Sequence, residues 1–366
     1  MKIEILKENF EHAVQIAARI GNKNLSLPVL SCAVIQANGG RAVVQATNLD
    51  VSVEIPLKAK IIEEGIVAVP AQVLHQLVSA ATEQKIIIEA SGTTLSVSGS
   101  HGVSKLKTLD HSEFPTLPYV KEGVGGVLTL PAKELLQTLK TVSFAASPSG
   151  MRPELSSIFL KVVDGVLTAA ATDSFRLAEM RVVTKSKDSC DPLLVPARNI
   201  PEIIRVLAGG DVVEVRLGEN QVTFVVGGGF ITSRVVDGAF PEYGAIIPKT
   251  FTTTATTLTE DVVKTLRKVS VFTDQGGQVE FLARVREKRL SFKSANREVG
   301  EALEETDAAL EGEDIALSFN VRYILDALAV VTSDSVVFKF SGPGKPLVIS
   351  EVPEKGFTYL VMPMNR

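Results

Sequence analysis

The chain has 366 residues, 45% of them hydrophobic and 22% charged, a globular balance with length for two or three domains that each bury a core. Its formal net charge of -4 argues against a simple nucleic-acid binder, which carries a basic excess over its binding domain, and leaves room only for a locally basic surface. Cys32 and Cys190 form no disulfide framework, the N-terminus has no signal-peptide core and no apolar run approaches a membrane span, so a cytoplasmic chain with no membrane partner is expected.

After an alternating first strand, Lys7 to Ile20 sets Phe10, Ala13, Val14, Ala17 and Ala18 on one face of a 3.6-residue period, which predicts a helix. A second is predicted at Pro70 to Thr82, with Val73, Leu74, Leu77 and Val78 inward. A third spans Pro131 to Phe144 (Leu135, Leu136, Leu139, Val142), with proline at its first position, and a fourth Pro196 to Ala208 (Ile200, Ile203, Ile204, Leu207). The fifth is Glu260 to Phe272 (Val262, Val263, Leu266, Val269), capped by Thr259. The sixth, Asn320 to Val331 (Val321, Ile324, Leu325, Leu328), is capped by Asn320. Between them lie short strands rich in Val, Ile and Thr, divided by turns such as Asn38-Gly39-Gly40, Asp164-Gly165, Gly218-Glu219-Asn220 and Asp237-Gly238.

These elements repeat. The stretch A-A-T-D-S-F-R-L-A-E-M from Ala170 has counterparts in Q-A-T-N-L-D-V-S-V-E-I and K-S-A-N-R-E-V-G-E-A-L, so Thr47-Asn48, Thr172-Asp173 and Ala295-Asn296 are one position seen three times. S-E-F-P-T-L-P from Ser112 and G-A-F-P-E-Y-G from Gly238 repeat a Phe-Pro turn at a similar offset. A period this long is a domain and not a solenoid unit. Each repeat reads as two β-α-β-β-β halves, hence an α+β domain with two helices on antiparallel sheets. The expected domains are 1–124, 125–250 and 251–366, with boundaries near Val120 to Gly126 and Thr250 to Thr257.

Signatures of catalysis are missing. His12, His75, His101 and His111 have no metal-ligand spacing, so neither a metal nor a cofactor is expected. Ser341 to Pro346 reads as a tight turn and Gly227-Gly228-Gly229 as a hairpin, neither as a phosphate loop. Glu304-Glu305 reads as a solvated face. The end is more telling: Tyr359 to Met364 is apolar, which predicts a final strand, while Pro363 cannot donate to a ladder and puts the tail at a sheet edge. Met362 and Met364 offer adaptable sulfur surfaces for partners. Phe175 is either exposed on a turn beside Arg176 or core.

With these repeats, A-T-D-S-F-R-L-A, V-D-G-A-F-P-E-Y, F-N-V-R-Y-I-L-D-A-L and a terminal V-M-P-M, the whole chain resembles the bacterial DNA sliding clamp family, the β subunit of DNA polymerase III. The resemblance implies three repeated DNA-clamp domains and a head-to-tail homodimer that closes into a ring around double-stranded DNA, with helices lining the hole. It implies no catalysis. Such a ring tethers the DNA polymerase III catalytic subunit and also binds the clamp loader, other polymerases and repair proteins through short linear motifs. The six predicted helices carry ten Lys/Arg against seven Asp/Glu, a local excess in an acidic chain. The competing class is an adaptor with the same groove that does not encircle DNA.

Carried over by motif, the family's peptide groove comprises Leu155, Thr172, Phe175, Arg176, Leu177, Pro241 and Ile246, with Asn320, Tyr323, Leu360, Met362, Pro363 and Met364. Ser174-Phe175 stands where enterobacterial members often have Gly-His, and Gly244-Ala245 lacks their arginines. The DNA-facing set is Lys7, Arg19, Lys23, Lys140, Arg152, Arg198 and Arg205; Asn24 occupies a position where some members have arginine. The dimer edge pairs Val103 and Leu106 with Val271 and Phe272, with Lys105 and Lys107 facing Glu298, Glu301, Glu304 or Glu305.

Overall fold

Every half-repeat is built alike, as a leading strand, a helix and an antiparallel three-stranded meander. The computed structural model of the chain describes residues 1–21, 27–100, 102–122, 126–184 and 189–364. The first repeat runs β1 (Lys2–Leu6), α1 (Lys7–Ile20), β2 (Cys32–Asn38), β3 (Arg41–Thr47), β4 (Val51–Leu57) and a short β5 (Ala59–Glu63). Its second half is β6 (Gly65–Pro70), α2 (Ala71–Ala80), β7 (Lys85–Ser91), β8 (Thr94–Ser98) and β9 (Val103–Lys107). The second repeat has β10 (Val127–Pro131), α3 (Ala132–Ser143), β11 (Ser157–Val163), β12 (Val166–Thr172) and β13 (Arg176–Val183). There follow β14 (Cys190–Pro196), α4 (Ile200–Leu207), β15 (Val212–Leu217), β16 (Gln221–Val226) and β17 (Gly229–Arg234). The third repeat has β18 (Thr253–Leu258), α5 (Thr259–Ser270), β19 (Gln278–Arg284), β20 (Arg289–Asn296), β21 (Gly300–Asp307) and a short β22 (Ala309–Gly312). It ends with β23 (Ile315–Asn320), α6 (Val321–Leu328), β24 (Ser335–Phe340), β25 (Leu347–Val352) and β26 (Phe357–Val361).

The described residues fall into two compact units, one chiefly Met1–Leu136 with Arg198–Val235, the other Gln137–Thr184, Asp191–Ala197 and Val236–Arg366. The first contains a five-stranded sheet, β5-β1-β7-β8-β9, and an eight-stranded sheet, β10-β15-β16-β17-β4-β3-β2-β6. The second contains a nine-stranded sheet, β14-β11-β12-β13-β26-β25-β24-β18-β22, and a four-stranded sheet, β21-β20-β19-β23. In both, a sheet runs from one sequence repeat into the next, through β17 paired with β4 and β13 paired with β26.

Period and burial agree. Phe10, Ala13, Val14, Ala17 and Ala18 of α1 are all buried, and α1 packs on α2 and α4 while α5 packs on α6. The tight turns also form, with Gly39, Gly40, Asp164, Gly165, Gly227, Gly228, Gly342 and Gly344 at positive φ.

Several expectations need correction. Pro70 and Pro131 close strands instead of opening helices, Pro131 lying opposite Val212; a residue without an N–H is tolerated where a ladder ends. Pro196 also ends a strand, and a short 3₁₀ turn, Ala197–Asn199, intervenes before α4. Thr259 is the first residue of α5 and no cap, since its hydroxyl donates to Ser333 O at 2.9 Å. Val73, expected inward, is exposed. The Thr-rich boundary segment is mostly β18, an interior strand between β24 and β22. Glu304 and Glu305 belong to a strand and are paired, with Lys268 at 3.3 Å and Arg289 at 2.8 Å. The tail is not at an edge: β26 lies between β13 and β25, and Pro363 falls beyond its end.

Candidate functional site

The Thr172 turn is an Asx turn. Thr172 Oγ1 donates to Arg176 O at 2.7 Å, and Asp173 Oδ1 accepts the backbone N–H groups of Phe175 and Arg176, each at 3.0 Å. At Thr47, the hydroxyl donates to Val51 O at 2.9 Å and Asn48 Oδ1 accepts from Asp50 and Val51 N–H at 3.0 and 2.8 Å. Asn296 Oδ1 likewise accepts from Glu298 and Val299 N–H, at 2.9 and 3.3 Å. The thrice-seen sequence position is therefore one device used three times.

In the middle copy the turn lifts Phe175 into solvent, 63% exposed, and turns Arg176 inward. The guanidinium bonds Asp173 Oδ2 at 2.9 Å and Asp326 Oδ2 at 2.7 Å, and lies 4.3 Å from the Tyr323 ring centroid and 5.6 Å from that of Phe144. Burial works against its charge, but the Asp326 hydrogen bond, with Tyr359 and Asp173, outweighs burial and holds its pKa above the ordinary value. Burial, seconded by Asp173, also raises the Tyr323 phenol. Behind it, Tyr359 hydroxyl donates to Tyr323 O at 2.9 Å.

The tail completes the site. Met362 N–H donates to Phe175 O and Met364 N–H to Ser318 O, both at 2.8 Å, so the last described residues are tied to the turn and to β23. Leu177 stands opposite Leu360, and both bury with Val348 under Tyr243, Ile247 and Phe251. Tyr243 is fixed by its hydroxyl, which donates to Glu179 Oε2 at 2.6 Å; burial and that carboxylate raise its pKa.

Of the predicted groove, the structure thus joins Thr172, Phe175, Arg176, Leu177, Tyr323, Leu360 and Met362 in one cluster. Thr172, Leu177 and Leu360 are buried and make floor in place of open wall, and Leu155 is buried without being joined to them, while Phe175, Ile246 and Met362 are exposed. Asn320 is spent on structure: Oδ1 caps α6 by accepting Arg322 N–H at 2.9 Å, and Nδ2 donates to Gly276 O at 3.2 Å. Pro241 lines a different cavity, of about 780 Å³, with Phe159, Arg181 and Phe240. Sequence reasoning missed Asp326, Val348, Ile247 and Phe251. Strand register is the signal that would have given Val348, since it faces Leu360.

The expected dimer edges are both free strand edges. β9 is the outer strand of its sheet, with Val103, Lys105 and Lys107 exposed; Leu106 is a correction, since alternation points it inward opposite Leu95 at 8% exposure. β21 is the outer strand of the four-stranded sheet and exposes Glu301 and Leu303. Val271, Glu298 and the missed Val299 are exposed as well, and Phe272 is half-buried.

Most of the expected DNA-facing cations already hold a partner. Lys7 pairs with Glu11 at 2.8 Å, Arg152 with Glu154 at 3.0 Å, Arg198 with Asp50 at 2.9 Å and Arg205 with Glu202 at 3.4 Å. Arg19 and Lys140 are exposed, and Lys23 lies outside the described residues. Among the described residues no helix is long and apolar enough to cross a membrane.

Family models of the DNA polymerase III beta subunit match the chain end to end: the N-terminal domain over residues 1–118, the central domain over 129–242 and the C-terminal domain over 244–365. The beta sliding clamp of Streptomyces coelicolor is 27% identical over 385 residues, covering 100% of this chain and 99% of that protein. That of Halalkalibacterium halodurans is 28% identical, with both covered completely. Among solved structures, the Pseudomonas aeruginosa sliding clamp bound to griselimycin is similar at 26% identity, with a TM-score of 0.91 and 100% of both chains covered. The beta subunit from Thermotoga maritima shares the fold, with a TM-score of 0.92 at 24% identity over 100% of this chain and 99% of that one. With all three of its sequence repeats matched by the corresponding domain models, the chain belongs to the DNA polymerase III beta subunit family, the bacterial beta sliding clamps.

Proposed function

We propose that two copies of the chain close head-to-tail into a ring on duplex DNA and act as a processivity factor, holding DNA polymerase III and other partners through the Phe175 groove. The observation that carries the groove is its construction: an exposed apolar rim of Phe175 and Met362, joined by the Met362 N–H bond to Phe175 O, above a floor whose charges and hydrogen bonds are already satisfied. Nothing there is poised for bond making. A peptide with two large apolar side chains gains burial at the rim without stranding a polar group.

The ring closes through β9 of one copy and β21 of the other. Two free edges meet, and Lys105 and Lys107 face Glu301, Glu304 and Glu305, so the heterologous contact closes when the second copy repeats it. Domains of 1–124, 125–250 and 251–366 supply six helices whose excess of Lys/Arg faces DNA phosphates without reading bases, which permits sliding. Work on chromosomal DNA places the protein in the bacterial cytoplasm.

Light scattering over a dilution series tests the ring, with a mass near twice 39.1 kDa expected. A monomer at every concentration removes the topological mechanism and leaves the groove. Titration with a fluorescein-labelled hexapeptide carrying adjacent Leu and Phe tests the groove; saturable binding displaced by griselimycin is expected, and no binding ends that reading.

A further inference from the structure

The Asx turn is not the only part of the groove that the repeat copies. In the first unit, Arg234 N–H donates to Asp50 O at 2.9 Å, the counterpart of Met362 N–H on Phe175 O at 2.8 Å in the second. Pro115 of the Phe-Pro turn faces this region too, whereas its counterpart Pro241 lines a separate cavity. Between these parts opens a cavity of about 370 Å³ lined by Thr47, Asp50, Ser52, Pro115, Thr232 and Arg234. It is a second copy of the site, between the first and second sequence repeats.

The floor differs. Strand register sets Ser52 opposite Thr232 and Thr232 opposite Thr223, where the other site has Leu177 opposite Leu360 and Leu360 opposite Val348. Three apolar side chains are replaced by three hydroxyls at equal depth, with Ser52, Thr223 and Thr232 at 1%, 0% and 2% exposure. Each hydroxyl is bonded: Thr47 with Ser52 at 2.8 Å, Thr223 with Thr232 at 2.8 Å, and Thr223 accepts Val120 N–H at 3.1 Å. At the rim, the position of Phe175 is Asp50, bonded to Arg198 at 2.9 Å. An apolar anchor seated here gains little from a hydroxyl floor and buries the Asp50 and Arg198 charges, which lose their water. Such a site rejects what its copy accepts.

We infer that Ser52, Thr223 and Thr232 are specificity-determining residues that silence the first copy of the groove and so limit each chain to one apolar peptide motif. The inference rests on the groove reading above.

The test uses the full chain and the labelled Leu-Phe hexapeptide, with sites counted by titration. The wild type binds one peptide per chain, and Ile246→Glu with Met362→Glu removes it. On that background, Ser52→Leu, Thr223→Val and Thr232→Leu together restore one site, with a Kd within about tenfold of the wild type, and Leu49→Glu removes it again. A folded, dimeric triple variant that stays blind to the peptide overturns the inference while the groove reading stands, as does a wild type that already binds two. A wild type that binds none sinks both. Should the triple variant fail to fold, the reverse exchange decides: Leu360→Thr, with unchanged circular dichroism and mass, is expected to weaken the native site at least tenfold, and unchanged affinity overturns the claim.

Discussion

Arg176 Nη1 meets Asp326 Oδ2 at 2.7 Å, joining the Asx turn of the second sequence repeat to α6 of the third. The guanidinium also covers Tyr323 and holds Asp173, so one side chain fixes the turn, the helix and the aromatic ring beside the groove. The two carboxylates differ in depth, Asp173 buried and Asp326 about half exposed. Arg176→Ala leaves Asp173 without its cation and should cost about 3 kcal/mol, whereas Asp326→Asn should cost less than about 1 kcal/mol. Urea unfolding of both variants measures this, and equal small losses would show that the pair does not hold the site together.

Asparagine performs the same turn at positions 48 and 296 as aspartate at 173. Asp173→Asn should therefore keep the turn and lose only the Arg176 pair, while Asp173→Ala loses both. The expected order of stability is wild type, then Asn, then Ala, with the Asn-to-Ala step about 1 kcal/mol. Comparable losses in the two variants would mean that the charge alone mattered.

How far the sequence carried depends on what kind of information each feature needs. α1 was legible to its last residue because Phe10, Ala13, Val14, Ala17 and Ala18 each lie within one helix turn of the next, and the Thr47, Thr172 and Ala295 positions were legible because the chain writes them three times. Long-range pairing was not: nothing near Pro363 tells that β26 sits between β13 and β25, since that depends on residues far away in the chain. Leu106 was misplaced for a similar reason, as a five-residue edge strand has too few alternations to say which face is covered. Asp326 lies 150 positions from Arg176, and no local pattern links them.

The edges predict a charge exchange. Lys105→Glu with Lys107→Glu should shift the monomer–dimer equilibrium toward monomer by roughly tenfold or more at low salt, through like-charge contact with Glu301, Glu304 and Glu305. Glu301→Lys with Glu304→Lys in the same chain should restore part of it. Val271→Glu needs no partner logic, because Val271 is already exposed in the single chain and its change should abolish the dimer without affecting the fold. Sedimentation velocity reads all three, and dimers that ignore the exchange place the interface elsewhere.

The cations differ in what they can give to DNA. Lys140→Gln should lower the slope of log K against log salt for linear duplex DNA by about 1. Arg198→Gln should lower it less, because Arg198 must first leave Asp50. Fluorescence anisotropy across a salt series measures the slopes, and identical losses would mean that the Asp50 pair opens freely. Retention on circular DNA should stay nearly unchanged in both variants, since there the ring and not the charge holds the duplex.

Cys32 gives the chain a pH-dependent stability on the alkaline side. Its thiol lies against Val29, Val34 and Ala68, and burial pushes its pKa from 9.0 to about 11 against a weaker opposing hydrogen bond with Ser31. Between those values the unfolded chain gives up the proton and the folded chain keeps it, so the unfolded state binds fewer protons and stability falls as pH rises. The contribution is whole below pH 9 and is lost by pH about 11, with a slope of at most about 1.4 kcal/mol per pH unit. Tyr243 and Tyr359, both raised by burial, add to the loss from about pH 10 upward, so the thiol has to be isolated by difference. Cys32→Ala shifts stability by a constant amount and removes the thiol's slope. Urea midpoints from pH 7 to 10.5 should therefore run parallel for the two chains up to pH 9 and converge above it. Curves that stay parallel throughout would show that the thiol ionises in the folded chain as readily as in the unfolded one.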